Sequence, residues 1–313
     1  MAPLKYERKS INSFDGTRLA LYSVGDRDLP TMVLANGIGG DVEIWRNLVN
    51  HYLGRYRIVT WDYRGLHGSG PAPKIKSYRM SHHAEDLATI LALEEIEDPH
   101  LVAWSMGVQV VMEFHRRHTD LAASFVALNG APGQTLDSVY GSRLPGRMLR
   151  PVLRAAMRGN TKVGSLGGLL SDPDFLAIAS KLLRRLGMTS EDIELAAFRQ
   201  LLAHWLDNDL RVYSAMLRSM GEHDVDDILP RLQTPTLVIG GEMDVLTPPE
   251  LSQKMVNKLP NGELHILKGA SHFGLIERPG KLVERMDEFY WSLRDTAAAR
   301  SVQLSGGDSS FAG

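Results

Sequence analysis

The 313-residue chain contains no cysteine. That absence removes disulfides, thiolate metal sites and a cysteine nucleophile together. An excess of one charge is also missing. The 35 Lys and Arg face 37 Asp and Glu, a net of −2, so no global field draws the chain to nucleic acid. No apolar run approaches the roughly 20 residues that span a bilayer. The opening residues Met1–Lys9 lack the apolar core of a secretory signal, so a cytoplasmic location is expected. The length allows a large core, as one big α/β domain or two smaller ones.

Short apolar runs alternate with helical patterns through most of the chain. Lys5–Ile11 and Arg18–Val24, joined through Asp15-Gly16, read as a β-hairpin. Thr31–Ala35, Tyr56–Trp61, Leu101–Trp104, Ser124–Asn129, Thr236–Gly240 and Glu263–Leu267 read as buried strands. Helical spacing between them covers Trp45–Tyr52, Met80–Ile96, the stretch from Val108 to His115, Pro248–Leu259 and Pro279–Leu293. This alternation predicts parallel pairing with right-handed crossovers. Between Gln134 and Gly221 the strands vanish and only helical patterns remain. There Arg143, Arg147, Arg150, Arg154 and Arg158 form a stripe opposite Leu149, Val152, Leu153 and Met157. Pro132–Ser190 carries nine Lys and Arg against three Asp, a balance of +6, and the stripe reads as a solvated face. From Thr296 the tail shows no core-forming pattern and is expected to be disordered. Asp62 and Arg64 are expected to brace a glycine-rich turn. His82 and His83 are not expected to hold a metal, because adjacent histidines project differently from a helix.

The chemistry centres on Leu101-Val-Ala-Trp-Ser105-Met-Gly107. A strand turning sharply into a helix forces the serine between them into a strained conformation, and small residues at −2 and +2 permit the approach. The hydroxyl then stands clear of the sheet, above a helix N-terminus that favours developing negative charge. Ligands bind beyond the carboxyl ends of parallel strands. Asp244 follows the next-to-last predicted strand and His272 the last, so both fall on the same edge as Ser105. A serine needs an imidazole to take its proton, and the imidazole needs a carboxylate to hold its tautomer. Glu242 and Asp137 are weaker candidates for that carboxylate. Acyl transfer also needs donors for an oxyanion. These are the backbone N–H of Met106 and, from the loop Asn36-Gly37-Ile38-Gly39-Gly40, that of Ile38. Gly37, Trp104 and Phe273 are expected to contact substrate.

Several motifs together resemble the α/β-hydrolase-fold serine hydrolases over roughly Leu4 to Leu293. They are Asn36-Gly37, Asp62-Tyr-Arg64-Gly65, Ala103-Trp-Ser105-Met-Gly107, Gly241-Glu-Met-Asp244 and Gly269-Ala-Ser-His272. Asn36 replaces the usual His of that family, and Ala103 the usual Gly. The resemblance implies an α/β fold with a mostly parallel eight-stranded sheet and helices on both faces. It also implies a helical cap after the sixth strand: residues 1–133 and 222–295 would form the core, and 134–221 a lid over Ser105. Dehalogenase and epoxide hydrolase relatives use Asp as nucleophile, and Ser105 argues against both activities.

The expected activity is hydrolysis of a carboxylic ester through an acyl-enzyme on Ser105, without metal or cofactor. The apolar cap residues Leu149, Leu153, Met157, Phe175 and Leu182 suggest a small-molecule substrate with an apolar moiety. Lactone, thioester, carbon–carbon and peracid chemistry use the same machinery. The competing class is a non-catalytic binding protein on a hydrolase scaffold.

Overall fold

Runs such as Thr31-Met-Val-Leu-Ala35 and Ser124-Phe-Val-Ala-Leu128 bury every residue, which only a strand covered on both faces can do. The computed structural model describes residues 4–119, 121–133, 173–185, 188–191, 193, 198 and 209–306. Its strands are β1 (Glu7–Asn12), β2 (Arg18–Val24), β3 (Thr31–Ala35), β4 (Arg57–Trp61), β5 (His100–Trp104), β6 (Ser124–Leu128), β7 (Thr236–Gly241) and β8 (Gly262–Leu267). They form one eight-stranded sheet in the order β1-β2-β4-β3-β5-β6-β7-β8. The pairs β1/β2 and β2/β4 are antiparallel, and the other five are parallel.

Side-chain alternation divides the apolar residues of the sheet between two cores. Val33, Leu101 and Ala103 face one, against Ala84, Leu87 and Ile90 of α2 (Met80–Leu93) and Val108, Val111 and Met112 of α3 (Met106–Arg117). Met32, Leu34, Val102 and Trp104 face the other, where α1 (Arg46–Tyr52) supplies Leu48, Val49 and Tyr52. The last helix, α8 (Pro279–Gly306), adds Met286, Phe289 and Tyr290 there. Helices therefore cover both faces, as the strand patterns require.

Between β6 and β7 the described residues include the α-helices α4 (Pro173–Arg185) and α5 (Leu210–Glu222). Val212 and Met216 of α5 join the first core, and the Ser219 hydroxyl accepts the N–H of Met80 at the start of α2. Ile193 and Phe198 join the second core. The arginine stripe Arg143–Arg158, together with Asp137, Leu149, Val152, Leu153 and Met157, lies outside the described residues, as does the side chain of Phe175. Leu182 is exposed. Two short helices complete the chain: α6 (Pro249–Val256) and α7 (Gly274–Glu277).

Three expectations change. Helix α2 stops at Leu93 rather than Ile96, because Glu95 takes a left-handed φ of 53° and the chain turns back. The chain from Thr296 to Gly306 continues α8 instead of being disordered. Ala297–Ala299 and Arg300 have high intrinsic helix propensity, which needs no core contact to extend a helix already nucleated. Asp62 and Arg64 do not pair. The Arg64 guanidinium reaches the wholly buried carboxylate of Asp86 at 2.6 and 2.8 Å and Asp15 at 2.8 Å. A carboxylate buried that deeply must find a cation. Asp62 instead accepts the Tyr22 hydroxyl and the Gly68 N–H.

Among the described residues, no helix is long and apolar enough to cross a membrane.

Candidate active site

Strand register carries the site to one edge of the sheet. Ala35 of β3 lies beside Ala103 of β5, so Ile38 and Met106 each come three residues past a matched pair. Gly241 of β7 lies beside Leu267 of β8, with Asp244 and His272 just beyond them. All of these positions follow carboxyl ends of parallel strands.

Ser105 joins β5 to α3 with φ 55° and ψ −115°, a conformation that L-residues avoid and that costs about 1–3 kcal/mol. Its surroundings enforce it. The Ser105 N–H donates to the Leu128 carbonyl at 2.9 Å, and its own carbonyl accepts from Val108 at 3.1 Å. A Cβ on Gly107 would collide with the Ala35 carbonyl oxygen and stand 2.9 Å from that of Asn36. Only glycine lets α3 sit that close to β3, whereas Ala103, inside the ladder, needs no such concession.

The side chain of His272 lies between the two others. Its Nε2 is 2.9 Å from Ser105 Oγ, and its Nδ1 is 2.9 Å from Asp244 Oδ2. With a proton on Nδ1 the ring donates to Asp244 and accepts from the serine hydroxyl, the arrangement that prepares Ser105 for proton transfer. Asp244 is 2% exposed. Burial pushes its carboxyl up, but the facing His272 and the Thr247 hydroxyl and N–H outweigh that, leaving it below the ordinary aspartate value. Its Oδ1 accepts the N–H groups of Leu246 and Thr247 at 2.9 Å each. Its Oδ2 accepts from Thr247 Oγ1 at 2.7 Å and from Asn129 Nδ2 at 2.9 Å. Glu242 is exposed and accepts only the Gly269 N–H among its described contacts, so it does not face the histidine. Asp137 lies outside the described residues.

The N–H of Met106 is the first of α3, one of the four that no intrahelical carbonyl reaches. Ile38 sits in a turn closed by the Gly40 N–H on the Gly37 carbonyl, 3.1 Å. The Asn36 side chain is occupied elsewhere: it donates to the Trp61 carbonyl at 2.8 Å and accepts the Trp45 indole N–H. Its role is to tie β3 to its neighbours.

Trp104 and Phe273 are 1% and 2% exposed, so they support the site from within rather than offering open surface. The Trp104 indole donates to the His272 carbonyl at 3.0 Å, and its ring lies so close to Gly37 that a Cβ there would clash with it. Phe273 packs edge-on against Phe198 of the inserted segment, ring centroids 5.6 Å apart. Strand-end position marks a residue as near the site but not the direction of its side chain.

Asn129, Thr247, Ser271 and Glu277 also support the site, and their roles are not legible from the sequence. Asn129 directly follows β6, at φ 45°, and donates to both Asp244 and the Ser271 carbonyl. The sequence signal was present only in position, since Asn129 also directly follows a buried strand. Among the described residues no three His, Asp or Glu side chains are grouped to hold a metal ion.

A family model described as the alpha/beta hydrolase fold matches residues 30–279. The chain belongs to the α/β-hydrolase fold family. This α/β-hydrolase is 28% identical over 292 residues to the probable oxidoreductase EphD of Mycobacterium tuberculosis, a match covering 89% of the chain and 48% of that protein. The chain thus spans about half the length of those relatives. It is 26% identical over 264 residues to the pimeloyl-(acyl-carrier protein) methyl ester esterase of Aeromonas hydrophila, covering 83% of the chain and 95% of that protein. A thermophilic esterase from Thermogutta terrifontis superposes with a TM-score of 0.70 at 22% identity, covering 92% of this chain and 99% of the other. That likeness is one of fold.

Proposed function

We propose that the protein hydrolyses carboxylic esters through an acyl-enzyme on Ser105. The observation that carries this reading is the unbroken contact from Ser105 through His272 to Asp244, 2.9 Å at each step. A non-catalytic binding protein would have no use for it. In the proposed cycle Ser105 Oγ attacks the ester carbonyl while His272 Nε2 takes its proton. Asp244, held ionised, keeps the proton on Nδ1 and stabilises the imidazolium. The carbonyl oxygen, now anionic, is received by the N–H groups of Met106 and Ile38 at the positive end of α3. His272 then protonates the departing alkoxide, and water repeats the sequence on the acyl-enzyme. The methyl ester esterase among the relatives supports ester chemistry.

The segment 134–221 is proposed as a lid. Its insertion after β6, at the edge carrying Ser105, supports this, as does the packing of Phe198 on Phe273 beside His272. An apolar acyl or alcohol group would lie beneath it.

A fluorophosphonate probe, followed by mass mapping, tests the mechanism. Ser105 is expected to be the modified residue, and Ser105→Ala is expected to keep its fold and lose roughly 10⁴- to 10⁶-fold in kcat. A variant retaining more than a few per cent of turnover, with contamination ruled out, would remove Ser105 from the role.

A further inference from the structure

Glu277 closes α7, five residues after His272, and is 6% exposed. The single turn from Phe273 to Glu277, closed by the Glu277 N–H on the Phe273 carbonyl at 3.0 Å, folds its carboxylate back under the histidine loop. There it accepts three hydrogen bonds. Oε2 takes the Ser271 N–H at 2.7 Å, and Oε1 takes the Ser271 hydroxyl at 2.8 Å. The same Oε1 takes the N–H of Ser190, in the inserted segment, at 2.7 Å. Ser271 immediately precedes His272. Its carbonyl is held from the other side by Asn129, whose amide also donates to Asp244.

We infer that Glu277 is a positioning residue through which the inserted segment sets His272. The inference rests on the proposed roles of Ser105, His272 and Asp244. The chain of contacts is continuous: Ser190, Glu277, Ser271, Asn129, Asp244, His272, Ser105. Each link has a rigid partner, because Ser190, Glu277, Ser271, Asn129 and Asp244 are all buried. A carboxylate suits the position because all three partners are donors and it has only acceptors to offer. An amide would turn an NH₂ toward one of them, leaving a buried donor without its partner. The consequence would fall on the backbone one residue before the base. A displacement of about 1 Å at a reacting group costs on the order of 10²-fold in rate. Substrate seated under the inserted segment would therefore bias the histidine through Ser190, without touching it.

The full-length Glu277→Gln variant tests this. Four quantities are measured against wild type: the rate of Ser105 labelling by a fluorophosphonate, the final labelled fraction, kcat and KM for p-nitrophenyl acetate, and Tm. Labelling rate and kcat are expected to fall together by roughly 10- to 100-fold, with KM within about threefold and the final labelled fraction unchanged. Ser190→Pro removes the donor on the inserted segment, and with it the Ser190 hydroxyl and some backbone freedom. It is expected to slow both rates less, and to cost little further when added to Glu277→Gln, since the two act on one contact. Wild-type labelling rate in Glu277→Gln would overturn the inference. So would a loss carried wholly by a smaller labelled fraction, which marks unfolding rather than misplacement. If Glu277→Gln does not fold, Ser190→Pro decides: unchanged kcat and labelling rate overturn the coupling. Failure of the underlying mechanism looks different, because wild-type Ser105 would itself stay unlabelled, and both claims would fall.

Discussion

Replacing Gly107 with alanine inserts one methyl group between α3 and β3. The new Cβ would stand 2.9 Å from both the Asn36 carbonyl oxygen and the Ala35 carbonyl carbon, and closer still to the Ala35 oxygen. Ordinary contact begins at 3.4 Å, and all three obstacles are backbone atoms that cannot rotate away. Relief of the tightest contact, on the Ala35 oxygen, therefore requires the end of β3, or the first turn of α3, to move by about 1 Å. Overpacking of this kind costs roughly 1–3 kcal/mol, which lowers Tm by roughly 2–4 °C per kcal/mol in a large domain. The functional loss should be larger than the stability loss suggests. The displaced segments carry the N–H groups of Ile38 and Met106 proposed to receive the oxyanion, and losing one such donor costs about 10²- to 10³-fold in kcat. A partial displacement should give about 10- to 100-fold. Thermal unfolding and turnover of p-nitrophenyl acetate, corrected for the fraction of labelled sites, measure both effects. Gly280→Ala is the control, since a Cβ there meets nothing within 4 Å. If Gly107→Ala kept wild-type turnover and a Tm within a degree, the close approach would not be what shapes the site.

Asp244→Asn should lower kcat by about 10⁴-fold with KM nearly unchanged, whereas Glu242→Gln, altering an exposed side chain, should stay near wild type; the opposite ranking in steady-state kinetics would reassign the acid. Thr247→Val removes the hydroxyl that donates to Asp244 at 2.7 Å. It should lower kcat/KM by roughly 10-fold, a typical cost for one hydrogen bond to a charged group. Burial brings both His115 and His100 down to about 4, with Arg294 adding to the effect at His100. The unfolded chain therefore binds protons first. Stability is unaffected above the unfolded value of about 6.5 and is lost as pH falls from there towards 4, by about 2 kcal/mol per histidine at pH 5. His115→Leu, which removes a ring whose nitrogens have no partner, should flatten that acid limb in urea titrations at pH 7.5 and 5; an unchanged limb would contradict the assignment.

Much of this protein is legible from its chain alone, and the reason is that the legible features are local. Buried strands such as Thr31–Ala35 and Thr236–Gly241 declare themselves by unbroken apolar runs. The turn at Ser105 follows from a strand, a helix and small flanking residues within seven positions. Alternation of strands and helices then implies that residues past strand ends share an edge, which is how Ser105, Asp244 and His272 meet across 139 and 28 positions of sequence. Sheet order and long-range pairing decided the rest. Neighbours in the chain did not determine that Arg64 would serve Asp86 and Asp15 rather than Asp62, two residues away. Nor did they determine that Asp244, and not Glu242, would turn inward, since both follow the same strand. The burial of Trp104 and Phe273 is likewise not readable from the chain, because a position past a strand end says nothing of side-chain direction. Asn129, Ser271 and Glu277 acquire their roles only when β6, the loop after β8 and the inserted segment close on one another. Local sterics act between residues a few positions apart and can be read in one dimension. A hydrogen bond between Asn129 and Asp244 exists only because parallel register brings β6 beside β7, and that register is a property of the folded sheet.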